Sequence, residues 1–85
     1  MQIDWDEEKN QKLIATRSVS FEDATRCILE GRISEVTKNS SRSGQYCFVL
    51  MLNKYAHVVP FVVTEEGNIF LKTIFPSRKF QKRYG

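Results

Sequence analysis

The chain is poor in the side chains from which most catalytic centres are built. It has one histidine, His57, and two cysteines, Cys27 and Cys47, with no spacing that would gather them round a metal. No glycine-rich phosphate loop and no GxSxG turn occurs. A spatially assembled Ser-His-Asp set leaves no sequence signature, and nothing here favours one. Long hydrophobic runs are also missing. The longest, Tyr46 to Leu52, is far below the ~20 residues that span a bilayer. The opening MQIDWDEEK is acidic where a secretory signal would be basic and then apolar. These absences point to a cytoplasmic protein that uses no metal or other cofactor. In such a compartment the isolated Cys27 and Cys47 read as free, buried thiols.

What is present is a single domain's worth of ordinary globular sequence. The 85 residues leave room for one core, and 41% hydrophobic with 27% charged residues suits a folded chain. The net charge of +3 hides an asymmetry. Residues 1–66 hold 10 acidic and 8 basic side chains, a balance of −2. Residues 67–85 hold no acid and five bases, Lys72, Arg78, Lys79, Lys82 and Arg83. That split suits a polyanion or an acidic protein as partner, and equally a solvated tail that keeps the protein soluble.

Helix signals come first along the chain and strand signals second, which predicts an α+β fold. Asp6 caps a first helix running to about Thr16, with Glu7 and Glu8 at its positive end and Leu13 and Ile14 turned inward. Ser20 and Asp23 form a near capping box for a second helix, with Phe21, Ala24 and Ile28 on one face and Gly31 at its end. Ile3 to Trp5 either forms a short strand or packs on the core. Three or four antiparallel strands follow. Ile33 to Thr37 suits an edge, and Gln45 to Leu52 suits a strand covered on both faces. Asn53 and Lys54 make a tight turn. Tyr55 to Thr64 carries a bulge or an unpaired position at Pro60, and Asn68 to Phe75 closes the sheet. Asn39 to Gly44 reads as a polar loop. Ser77 to Tyr84 leaves the sheet as a short helix or tail anchored by Phe80.

The candidate chemistry lies at this basic end. Arg78 offers a planar fork that matches phosphate oxygens. Lys79, Lys82, Arg83 and Tyr84 follow within two helical turns, an interleaving of cations and rings that suits single-stranded RNA. Lys72 either lines a concave surface beside Phe70 and Ile74 or covers the open sheet face with its stem. His57 could move protons, and could equally be a packed strand residue. Trp5 reads as core or partner contact more than as a stacking platform. Metal-free RNA cleavage needs fixed positive charge at the phosphate and a group that transfers a proton. Arg78, Lys72 and Lys79 suit the first need, and Tyr84 or His57 the second.

Four segments carry a resemblance. Ile3 to Lys9 reads IDWDEEK, beside a family pattern F-x-W-D-P-x-K. Ser18 to Ala24 reads SVSFEDA, beside G-V-S-F-E-E-A. Lys72 to Lys79 reads KTIFPSRK, beside a strand closing in I-S-A-R-[KR]. Arg83 and Tyr84 loosely match E-R-x-x-Y. In these segments the chain resembles the BrnT family of bacterial toxins, in order and over nearly its whole length. It departs from the family at Thr16, Arg17 and Ser18, where K-H-G is usual, and at Pro76 and Ser77, where S-A is usual. The family is similar to RelE-type ribonuclease toxins. The resemblance therefore implies a compact α+β endoribonuclease, neutralised by a cognate antitoxin in a hetero-oligomer and acting on RNA, including ribosome-associated mRNA. It implies Arg78 as the family arginine, and Lys9 and Trp5 as surface residues near the site. The alternative is a module that binds RNA or an acidic protein without cutting, or a structural subunit whose tail contacts a partner.

Overall fold

The computed structural model describes residues 1–38 and 44–85. The predicted polar loop from Asn39 lies outside these residues, apart from Gly44. The described residues form a small α+β fold with three helices and a six-stranded, mostly antiparallel sheet.

The N-terminal residues do form a strand, β1 (Ile3–Trp5), which runs parallel to β5 (Ile69–Leu71) at the edge of the sheet. This departs from the predicted meander. Helix α1 (Glu7–Arg17) starts where Asp6 accepts a hydrogen bond from the Glu8 N–H at 3.0 Å. It buries only Asn10 and Leu13, and Ile14, expected to face inward, is exposed. Helix α2 (Phe21–Leu29) starts at Ser20, whose hydroxyl accepts from the Asp23 N–H at 3.0 Å. It ends in a Schellman motif: Arg32 N–H donates to Cys27 O and Gly31 N–H to Ile28 O, with Gly31 at φ 73°.

The sheet order is β1-β5-β4-β3-β2, with β2 (Glu35–Lys38) on the far edge and β3 (Gln45–Leu52) beside it. Strand β4 (Tyr55–Val63) pairs with β3 along its whole length. The predicted last strand is broken in two. β5 pairs with Phe61 to Val63, and β6 (Phe75–Pro76) pairs with His57 and Val58. The sheet thus has six strands where three or four were expected, because Ile3 to Trp5 joins it and the expected last strand is two.

Pro60 explains the break. It stays in register opposite Cys47, so no bulge forms. Its carbonyl accepts from Lys72 N–H, so its missing N–H also points toward the β5 side. Pro60 sits between the stretch of β4 that pairs with β5 and the stretch that pairs with β6. The absent donor falls where the ladder changes partner and costs no hydrogen bond.

Pairing divides the sheet's side chains between two faces. Phe48, Leu50, Leu52, Val59, Phe61, Ile69 and Leu71 meet Leu13, Phe21, Ala24 and Cys27 on the α1/α2 face. Cys47, Val49, Ala56 and Val58 pack with Phe80 on the other face. Phe80 belongs to a third helix, α3 (Arg78–Tyr84), so the second face is partly covered. Cys27 and Cys47 are free and buried in different clusters.

The β3–β4 hairpin turns through Asn53 (φ 52°) and Lys54 (φ 62°), as a two-residue turn with positive φ at both centres requires. Asn53 Nδ2 also donates to Ser18 O at 2.7 Å, tying the turn to the α1–α2 link. Lysine tolerates this backbone poorly. Lys54→Gly is expected to raise stability by about 0.5–1 kcal/mol, seen as a higher melting temperature with unchanged cooperativity.

Candidate nucleic-acid interface

Helix α3 is held by its polar residues as well as by Phe80. Ser77 caps it, its hydroxyl accepting from Phe80 N–H at 3.3 Å. Ser77 N–H donates to Ala56 O, and Gln81 Oε1 accepts from Ala56 N–H at 2.8 Å. A glutamine side chain thus answers a β4 donor that a strand would otherwise take. Phe80 is 8% exposed, and Lys79 and Arg83 each place their charge 5.2 Å from its ring centroid.

The outer part of α3 carries Arg78, Lys79, Lys82 and Arg83, all exposed. Arg83 is paired with Glu35 of β2 at 2.8 Å. Among the described residues no carboxylate forms an ion pair with Arg78, Lys79 or Lys82. Arg78 and Lys79 also occupy the first turn, where the helix dipole disfavours cations, and no acid accompanies them. Lys79 gains its contact with the Phe80 ring, but no packing or pairing accounts for Arg78 there, and its placement breaks a local rule in the way functional surfaces do.

Glu35 is the residue that sequence reasoning missed. Its Oε1 accepts from Tyr84 O–H at 2.6 Å as well as from Arg83. The Tyr84 hydrogen bond, then the hydrogen bond and charge of Arg83 and the charge of Lys79, hold the Glu35 carboxyl below its ordinary value. The same bond pushes the Tyr84 phenol up, away from neutrality and from what a proton carrier at pH 7 needs. No sequence signal joins positions 35 and 84. The contact follows from β2 and α3 meeting over β3.

The Glu35 contact sets a pH window. Glu35's folded value is depressed, so its contribution is present above its ordinary 4.5 and is lost as pH falls through the lower folded value. Tyr84's is raised, so its contribution is present below its ordinary 10.0 and is lost as pH rises through the higher folded value. Comparing melting temperature against pH for wild type and Glu35→Gln should show a wild-type advantage at pH 6–8 that shrinks below pH 4.5. A constant difference across the acid range would rule this linkage out.

The sheet separates the residues named from sequence. Lys72 lies on the α3 face, its ammonium 5.5 Å from the half-buried Phe70 ring. His57 lies on the α1/α2 face, paired with Leu50 and 6% exposed. Its Nδ1 donates to Tyr55 O at 2.8 Å, and its ring meets Tyr55 edge-on. Trp5 stacks on Phe21 on that face, at 5.8 Å between centroids, and donates from Nε1 to Glu7. Lys9 lies on α1 and is half-buried. The structure therefore gathers Arg78, Lys79, Lys82, Arg83 and Tyr84 on one helix, with Lys72 on the same face. It does not bring His57, Lys9 or Trp5 to them. Arg17, standing where the family pattern has histidine, donates to Ile74 O in the link between β5 and β6. Among the described residues no three His, Cys, Asp or Glu side chains are grouped to hold a metal ion.

No family model, curated protein or solved structure matches this chain. No helix among the described residues is long and apolar enough to cross a membrane.

Proposed function

We propose that this chain is the toxin of a type II toxin–antitoxin pair, a RelE-like, metal-independent endoribonuclease of the cytoplasm whose RNA phosphates lie along α3. The observation that carries the RNA part is the set of cations Arg78, Lys79 and Lys82, none in an ion pair among the described residues, on a helix whose dipole disfavours the first two. The cleavage part, the antitoxin and the RelE-like assignment are supported by the ordered motif resemblance. In this reading Arg78 fixes the phosphate and stabilises its developing charge, while Lys72 and Lys79 add to the field. Lys82 and Arg83 serve RNA or the antitoxin. Induced expression of the wild type should arrest growth and degrade RNA, and Arg78→Ala should abolish both. Continued growth with intact RNA on wild-type expression would end the enzyme reading.

A second reading is favoured by one specific observation. Tyr84's hydroxyl is held by Glu35, and His57 is buried across the sheet, so neither stands free beside Arg78. A module that binds RNA without cutting needs no such group. Salt-dependent binding with no cleavage products would select it.

A further inference from the structure

A second surface lies on the opposite side of the sheet from α3. A cleft of about 430 Å³ opens between Trp5, the last residue of edge strand β1, and a stripe of α2 formed by Glu22, Thr25, Arg26, Leu29 and Glu30. Its wall is apolar. Trp5 is half-buried over Phe21, and Leu29 is 70% exposed although it sits on a well-formed helix. The Thr25 hydroxyl oxygen is buried in this wall without a hydrogen-bond partner.

The charges at the rim are unequal in their compensation. Arg26 is paired with Asp23 at 3.6 Å, and Glu30 with Arg32 at 2.7 Å. Glu7 and Glu22 are not paired with any cation among the described residues. Instead both accept from the same atom, Asn10 Nδ2, at 3.3 and 2.7 Å, so two carboxylates are held together beside Trp5. Glu7 also accepts from Trp5 Nε1 at 3.0 Å.

The backbone beside the cleft is open as well. Gln2 O accepts from Ile69 N–H, so Gln2 and Asp4 turn their peptide groups toward β5. Ile3 and Trp5 therefore turn theirs to the free edge. A strand added there would place alternate side chains on the α2 side, in the cleft.

We propose that this cleft binds an extended, basic segment of a partner protein, which adds to the β1 edge. Two of its apolar side chains lie against Trp5 and Leu29, and an arginine or lysine between them meets Glu7 and Glu22. The chemistry is opposite to that of α3, so the two surfaces take different ligands and do not compete.

Trp5 is the single tryptophan and lies in the cleft, which makes its fluorescence a direct reporter. The probe is the peptide acetyl-Leu-Thr-Arg-Thr-Leu-amide, with acetyl-Leu-Thr-Glu-Thr-Leu-amide as control. The arginine peptide should change Trp5 emission saturably and the glutamate peptide should not. Glu22→Gln and Leu29→Ala, both exposed positions, should each weaken binding about fivefold. Equal responses to the two peptides would overturn the proposal, because the cleft would then be an apolar site without charge choice. So would affinity unchanged in both variants, or no saturable response. A Trp5 shift driven by protein concentration alone, with dimers in sedimentation, would assign the cleft to a second copy of this chain instead.

Discussion

Replacing Arg78, Lys79 and Lys82 together by glutamine is expected to weaken single-stranded RNA binding about fiftyfold near 0.15 M salt. Each cation that neutralises a phosphate contributes ~0.7 to the slope of log affinity against log salt on a single strand. Three such contacts give a slope change of about 2, and extrapolation to 0.15 M gives the fiftyfold loss. Both quantities come from one salt titration by anisotropy. The fold should be kept, with at most the small loss of the Lys79 contact with the Phe80 ring, because the three side chains are exposed, form no ion pair among the described residues, and glutamine is a good helix former. Arg83→Gln provides the contrast. Its guanidinium is already held by Glu35, so it should change the slope by well under the ~0.7 of a free phosphate contact. An unchanged slope in the triple variant would show that RNA, if bound, lies elsewhere.

Asn10→Ala should lower the free energy of unfolding by about 3 kcal/mol, and the melting temperature by about 15 °C for a domain of this size. Asn10 is fully buried and answers three groups from two helices. Its Oδ1 accepts from the buried Phe21 N–H at 2.7 Å, and its Nδ2 donates to Glu22 and Glu7. Alanine leaves the Phe21 donor unsatisfied at the start of α2 and leaves two neighbouring carboxylates without the amide donor that now bridges them. Asn10→Asp keeps the acceptor and removes the donor, setting a third carboxylate beside Glu7 and Glu22. It should be at least as damaging at pH 7 and should partly recover as the solution is acidified. Urea unfolding with an unchanged m-value checks both. If Asn10→Ala costs under 1 kcal/mol, the buried amide is not what joins α1 to α2.

Local signals predicted the elements whose chemistry is local. Ser20, Gly31, Asn53 and the doubly apolar run from Gln45 mark a cap, a helix stop, a turn and a covered strand, and each acts within a few residues. Ile14 was misread because α1 buries so little that its spacing could not fix which side faced the core. At Pro60 the sequence predicts a bulge or an unpaired position, and the structure keeps it in register opposite Cys47. The direction of its missing donor depends on where β5 ends, which no local pattern contains. The same limit applies to the site. The cations of α3 stand together in the sequence, so that cluster was visible. Glu35 was not, because it reaches Tyr84 across 49 positions. The separation of His57 from Arg78 was hidden for the same reason: it depends on strand parity over the whole sheet.

The parallel pairing of β1 with β5 has a consequence for how the chain is made. Ile3 finds its partner only at Ile69, so β1 stays unpaired until β5 has been synthesised. α1 and α2 can settle on β3 and β4 before then, because Phe48, Leu50, Val59 and Phe61 precede Ile69, but Ile69 and Leu71 are still missing from their core. β1 is thus among the last pieces of this fold to settle, although its residues are among the first to be made.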